Sequence, residues 1–110
     1  MSMDPERRRS PRIAVAVDGL NGVVKGAVPV ALHDISAGGL RLGLRSSLEP
    51  GGVYPLTALL RGLSLTTPIR VTRCSRGGPA WEAGAEFLWR DDADAAAVRR
   101  WLRSRATGAF

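Results

Sequence analysis

The sequence predicts an all-β fold with a terminal helix, in which the strands form a small antiparallel barrel. About six short apolar stretches with strand spacing follow one another between Ile13 and Trp89, separated by turn residues at hairpin intervals. A single stretch with helical spacing comes after them, from Asp91 onward. The chain has 110 residues, a length that one hydrophobic core can stabilise, so we expect one domain.

The predicted strands are delimited by turn signals such as Asn21-Gly22 and Arg61-Gly62. They cover residues 13–17, 23–32, 40–44, 54–60, 63–73 and 81–89. The second strand is interrupted near Lys25-Gly26 and Pro29, and Pro68 is a candidate break in the fifth. Because proline lacks a donor for the ladder, Pro55 indicates that the fourth strand lies at an edge or begins there.

The last predicted element is a helix that begins near Asp91 and Asp92, residue types suited to an N-cap region. Its apolar side chains fall on one face: Ala93, Ala97, Val98, Trp101 and Leu102. Acidic residues at its start and arginines at its end complement the helix dipole. Because so short a helix is marginal alone, we expect its apolar face to cover one end of the barrel or a partner chain.

Charge and cysteine content limit the class of partner. The net charge is +6, and arginine supplies all but one of the 16 basic residues. Such a charge favours anionic partners, and the planar guanidinium group suits phosphate and guanine edges. The single cysteine, Cys74, cannot form an internal disulfide, and the sequence shows neither a leader nor a long apolar segment. We therefore expect a cytoplasmic protein that does not bind a membrane.

Residues 1–12 are predicted to form a flexible basic arm, residues 13–104 the barrel with its helix, and residues 105–110 a tail. The arm has no apolar periodicity, so burial cannot offset the entropy lost on ordering it. It carries Arg7, Arg8, Arg9 and Arg12 directly before the first strand. Taken alone, the arm is a solvated basic tail.

The second and third strands are joined by a polar segment, Asp34–Gly39, which we call the corner. Asp34 and Ser36 favour turns because their side chains bond to nearby backbone groups. Gly38 and Gly39 permit positive φ or a close approach of the backbone. The corner is therefore either an ordinary hairpin turn or a rigid shelf for a small ligand, and local chemistry does not distinguish the two.

Catalytic and metal-binding functions have little support in the sequence. His33, Asp34 and Ser36 are the residue types of a catalytic triad, but neighbours on a strand point to opposite faces. No group of histidine, cysteine or carboxylate residues has metal-ligand spacing, and we expect no metal or cofactor. A basic nucleic-acid-binding barrel fits the charge, but aromatic residues make up only 5% of the chain, too few for a base-stacking surface.

Three motifs, taken together, resemble those of one family. Arg8 and Arg12 form Arg-x-x-x-Arg before the first strand, and the corner matches Asp-x-Ser-x-x-Gly about twenty residues later. Gly84-Ala85-Glu86-Phe87 matches Gly-x-x-Phe in the final strand, with the helix after it. In order and spacing the chain resembles a PilZ domain, the bacterial receptor for cyclic di-GMP.

The resemblance implies a six-stranded antiparallel barrel with a C-terminal helix and no enzymatic activity. It implies that Arg8 and Arg12 contact guanine and phosphate, and that Asp34, Ser36 and Gly39 complete the site. The remaining candidate ligand-binding residues are Arg7, Arg9 and Gly38. In similar domains the position of Arg7 influences whether one ligand or an intercalated pair is bound, and we expect a pair.

The expected function is that of a cyclic di-GMP effector, which changes conformation and signals to an unidentified protein controlling motility, biofilm or exopolysaccharide. Some roles stay open. Asp34 can accept hydrogen bonds from guanine N1–H and N2–H₂ or orient an arginine, and Ser36 can bond phosphate or brace the turn. The alternatives are a PilZ-like interaction module that does not bind nucleotide and the nucleic-acid-binding barrel.

Overall fold

The computed structural model describes residues 13–14 and 21–106. The strands in this part of the chain are β1 (Ile13–Ala14), β2 (Gly22–Val24), β3 (Val28–Ile35), β4 (Gly39–Leu44), β5 (Val53–Leu60), β6 (Leu63–Gly77) and β7 (Ala80–Phe87), followed by the helix α1 (Asp92–Ala106). The predictions for the arm, with Arg7, Arg8, Arg9 and Arg12, and for residues 107–110 lie outside the described residues.

Six strands form a closed antiparallel ring in the order β2-β3-β4-β7-β6-β5, and β5 pairs with β2 to close it. The short β1 lies along the far end of β3, where Ile13 pairs with Ile35. The predicted six-stranded barrel with a C-terminal helix is therefore confirmed. Among the described residues, no helix combines the length and apolar character needed to cross a membrane.

Alternate side chains of the strands fill the interior of the barrel, as the period of a strand requires. On β6, every second residue from Leu63 to Val71 is buried. Val98 and Leu102 of α1 belong to the same core, and α1 packs against β6 and β1. The apolar face of the helix thus covers the barrel of its own chain.

The start of α1 follows the sequence prediction closely. The side-chain Oδ1 of Asp91 accepts a hydrogen bond from the backbone N–H of Ala93 at 2.9 Å. Asp91 is therefore the N-cap, which satisfies a donor that the helix leaves without an internal partner.

Three strand predictions change in the structure. Lys25 and Gly26 have φ values of 58° and 73°, so they form a tight hairpin turn that divides the predicted second strand into β2 and β3. Pro68 does not interrupt β6, because it lies opposite Pro55 and the missing donors fall at one position of the ladder. The final strand ends at Phe87 rather than Trp89.

Candidate functional site

The corner is a rigid turn held by its own serine. The backbone N–H of Ser36 donates to the carbonyl of Gly39 at 2.8 Å. The Ser36 hydroxyl lies 3.3 Å from the backbone N–H groups of Gly38 and Gly39, which donate to it. Ser36 is almost fully buried, with 4% of its surface exposed. Of the two roles left open for Ser36, the structure shows the one that braces the turn.

A second set of hydrogen bonds ties the corner to the end of β7. Phe87 donates its backbone N–H to the carbonyl of Gly38 at 3.0 Å, and Trp89 donates its indole Nε1–H to the carbonyl of Ala37 at 3.3 Å. The rings of Phe87 and Trp89 stack with centroids 4.3 Å apart. Phe87, the last residue of the Gly-x-x-Phe motif, therefore anchors the corner to the barrel.

Gly39 and Gly38 have different structural roles. A Cβ at Gly39 would overlap the carbonyl oxygen of Ala85 on β7, so glycine is needed there for close approach of two backbones. A Cβ at Gly38 would meet nothing within 4 Å, and Gly38 is exposed. Neither residue has a positive φ. The open space over the corner therefore lies at Gly38.

A β-bulge at His33 places two polar side chains on the outer surface of the barrel. Leu32 pairs with Leu42 and Asp34 pairs with Arg41, so His33 is the extra residue in β3. Leu32 and Ile35, three residues apart, both lie in the core. The expectation that His33 and Asp34 point to opposite faces is wrong, because the bulge resets the alternation between them.

Asp34 and Arg41 form an ion pair across the β3–β4 hairpin. The Nε–H of Arg41 donates to Oδ2 of Asp34 at 2.6 Å, and the two side chains are 42% and 10% exposed. The hydrogen bond to Asp34, then the charge of Asp34 and that of Glu82, raise the pKa of Arg41 above its usual value. Arg41 is thus held charged and in a fixed direction beside the corner.

Glu82 extends this ion pair into a network. Its Oε2 lies 3.8 Å from Nη1 of Arg41 and 3.3 Å from Nδ1 of His33. The polar partner of the His33 ring is therefore Glu82 rather than Asp34 or Ser36. His33 therefore does not form a triad with Asp34 and Ser36. The sequence argued against this triad because neighbours on a strand point to opposite faces, whereas in the structure the His33 ring faces Glu82.

Beside this network the outer surface of the barrel carries a second arginine, Arg73. The strand register places Asp34, Arg41, Gly84 and Arg73 in one row across β3, β4, β7 and β6. Gly84 has no side chain, and Arg73 lies across it with Nε 3.2 Å from where a Cβ would be. A second bulge, at Thr72, leaves both Thr72 and Arg73 exposed on this surface. Arg41 and Arg73 are therefore the two neighbours of Gly84 in this row, next to the corner.

The structure brings together Asp34, Ser36, Gly38 and Gly39 of the predicted site, and it adds Arg41, Arg73 and Glu82. One signal for Arg41 is visible in the sequence, since a residue on the outgoing strand must lie opposite Asp34 across the hairpin. Arg73 and Glu82 come from distant strands, and only the closed barrel places them here. Among the described residues, no group of three or more histidine, cysteine or carboxylate side chains is arranged to hold a metal ion.

Comparison with known proteins identifies the family and the fold. A family model described as PilZ domain matches residues 6–104. The chain belongs to the PilZ domain family. Its matched region includes Arg8 and Arg12 as well as the corner and Gly84–Phe87. A comparison with curated protein sequences gives no match.

Solved structures of similar fold include three PilZ proteins. The inhibitor of motility MotI/DgrA of Bacillus subtilis is 20% identical with a TM-score of 0.78, over 94% of this chain and 53% of that one. The MrkH–c-di-GMP complex of K. pneumonia is 18% identical with a TM-score of 0.76, over 94% and 54%.

The PilZ domain of YcgR from Escherichia coli, solved with c-di-GMP, is 17% identical with a TM-score of 0.73, over 94% of both chains. This chain therefore spans about half the length of MotI and MrkH and nearly all of the YcgR domain. At these identities the likeness establishes the fold.

Proposed function

We propose that this PilZ domain is a receptor for cyclic di-GMP, which it binds between the corner and the arm. The observation that carries the proposal is the Asp34–Arg41 pair beside a corner whose backbone is already fixed. Two structures of similar fold, those of MrkH and the YcgR domain, are c-di-GMP complexes by name. A ligand with two phosphates and two guanines also fits a chain with a net charge of +6.

The described residues supply the fixed part of this site. Arg41 and Arg73 offer planar donors that can bond phosphate or the O6 and N7 atoms of guanine. The Asp34 carboxylate positions Arg41, which supports the arginine-orienting role over direct contact with guanine. Gly38 leaves room above the corner for a ligand to approach the backbone. A preformed site of this kind loses little entropy on binding.

The arm supplies the second part, through Arg8 and Arg12 with contributions from Arg7 and Arg9. Ordering five or six residues costs about 1–2 kcal/mol each. Several charge-assisted hydrogen bonds, at about 1.5–3 kcal/mol apiece, can offset that cost. Ligand binding would then order the arm on the barrel and create a surface that a downstream protein reads. Hydrogen exchange on residues 5–12 tests this step, since added protection is expected only with ligand present.

Titration calorimetry tests the binding proposal directly. The chain is titrated with cyclic di-GMP, with GTP and with a single-stranded oligonucleotide. We expect saturable binding of cyclic di-GMP that Arg12→Ala and Arg41→Ala weaken and that Arg103→Ala, at an exposed arginine of α1, leaves unchanged. Binding of the oligonucleotide alone, with a steep dependence on salt, would replace the proposal with a nucleic-acid-binding function.

The same titration gives the stoichiometry. Because Arg7 extends the basic run of the arm, we propose that an intercalated pair of ligands is bound, and the expected ratio is two ligands per chain. A ratio of one contradicts the pair without affecting the receptor proposal. We also propose a role in motility or biofilm control, and the name of one structure of similar fold, an inhibitor of motility, supports the part in motility. Deleting the gene and measuring swimming and surface attachment tests this role.

A further inference from the structure

A cationic groove lies between the β5–β6 turn and the C-terminal half of α1. It has a volume of about 720 Å³. Arg61, Arg100 and Arg105 line its rim, and Leu63, Ala97 and Trp101 line its floor. None of the described carboxylates lines it, because the acidic residues of α1 are confined to its first turn. The groove is therefore a concave surface with an apolar base and a positively charged edge.

The indole of Trp101 is fixed in this groove. Its Nε1–H donates to the backbone carbonyl of Arg61 at 2.8 Å. Nη2 of Arg105 donates to the same carbonyl at 2.9 Å, and the Arg105 guanidinium lies over the Trp101 ring at 4.6 Å. These contacts join α1 to the β5–β6 turn and hold the floor of the groove in one conformation.

Two of the charges at the rim are not neutralised within the described part of the chain. Arg41 and Arg70 form ion pairs with Asp34 and Glu86, whereas Arg61 and Arg100 have no salt bridge to a described residue. Gly62, with a φ of 81°, forms the tip of the turn without a side chain. The side chains of Arg61 and Arg100 are exposed and available to an anionic group.

The groove is remote from the proposed ligand site. Trp89, just before α1, bonds to Ala37 of the corner, whereas Trp101, near its end, bonds to Arg61. Asp92 and Trp101 are nine residues apart in α1, which is about 14 Å along the helix, so α1 separates the two places by about that distance. A molecule seated in the groove would not compete with one bound at the corner.

We infer that this groove binds an acidic segment of a partner protein, with carboxylates at Arg61 and Arg100 and an apolar side chain on Leu63 and Ala97. Charge complementarity selects an acidic partner, and the apolar floor selects a peptide over a phosphate backbone. Single-stranded nucleic acid would need an open aromatic face for base stacking, and Arg105 covers one face of Trp101. This surface is distinct from the cyclic di-GMP site and does not depend on it.

Fluorescence anisotropy tests the inference with a labelled peptide composed of Asp, Glu and Leu in an irregular order. The full chain should bind this peptide but not its Asn and Gln counterpart. Arg100→Glu should weaken binding about tenfold or more, because it replaces a charge-assisted bond with repulsion. Arg45→Glu makes the same change in net charge at an exposed site outside the groove and should change affinity less than about twofold.

The outcomes are decisive in each direction. Absence of peptide binding, or equal weakening by Arg100→Glu and Arg45→Glu, overturns the inference. Preferential binding of an oligonucleotide or of phosphatidylglycerol vesicles through Arg100 overturns it in favour of that partner class. If Arg100→Glu fails to fold by circular dichroism, Arg100→Gln repeats the test, because it removes the charge and keeps the length. Retained cyclic di-GMP binding by each variant separates this result from the proposed receptor function.

Discussion

Arg41 is fixed by Asp34 across the β3–β4 hairpin, with Nε and Oδ2 2.6 Å apart. The pair lies directly beside the turn whose hydrogen bonds centre on Ser36. Nη1 of the same guanidinium group lies 3.8 Å from Oε2 of Glu82, so two carboxylates fix the direction of the Arg41 side chain. The proposed site thus contains an arginine on the rigid barrel in addition to those proposed on the arm.

Arg41→Ala is expected to weaken cyclic di-GMP binding about tenfold or more, because it removes a charge-assisted donor and the ion pair with Asp34. The affinity of Arg41→Lys should lie between that of the wild type and that of Arg41→Ala, since lysine keeps the charge and loses the bond through Nε. Calorimetry measures both. The melting temperature should fall modestly, because Arg41 is partly exposed but its carboxylate partner Asp34 is nearly buried. Wild-type affinity in Arg41→Ala would falsify the role given to this residue.

Gly39→Ala and Gly38→Ala form a matched pair of substitutions in one turn. Gly39→Ala should lower the free energy of unfolding by about 1–3 kcal/mol, because the new Cβ meets the Ala85 carbonyl. Gly38→Ala should unfold like the wild type, since nothing lies within 4 Å of its Cβ. Thermal denaturation followed by circular dichroism compares them.

Cyclic di-GMP titration of the same two proteins separates stability from binding. Gly38→Ala should weaken binding with no loss of stability, because its methyl group occupies the space above the corner. If Gly38→Ala binds as the wild type does, the ligand does not approach the corner at this residue.

Trp101→Ala should lower the free energy of unfolding by about 2–3 kcal/mol, less than for a fully buried tryptophan because the ring is only half-buried. Trp101→Phe keeps most of the packing and loses the hydrogen bond to the Arg61 carbonyl, so about 1 kcal/mol is expected. Urea denaturation measures both values. Equal losses for the two variants would mean that the hydrogen bond, rather than packing, holds α1 at the turn.

Asp91→Ala should lower the free energy of unfolding by about 1 kcal/mol, because it removes the N-cap bond to Ala93. Asp92→Ala is the control, since Asp92 acts on the helix dipole alone and should cost a few tenths of a kcal/mol. Chemical denaturation of the two variants side by side tests the assignment. A larger effect at Asp92 would place the helix start one residue later.

The barrel and the corner were predictable from the sequence because both depend on local patterns. Period-two apolar spacing marks the strands, and residues near in sequence make the hydrogen bonds of Ser36. The interruption near Lys25-Gly26 was predicted, but its being a hairpin turn was not, since the turn requires a positive φ at a lysine, which sequence patterns disfavour. The bulge at His33 was also unpredictable, because a register shift depends on how two strands pair and not on either strand alone.

The sequence by itself determined the fold class, the capped terminal helix and the residues of the corner, because each follows from spacing, capping or turn chemistry within a short segment. Only the tertiary structure decided the surroundings of the corner. Closing the barrel places Arg73 and Glu82, from β6 and β7, beside Arg41, and it sets Trp101 against Arg61. These contacts join residues distant in the chain, so they depend on strand register and packing, which no local pattern specifies.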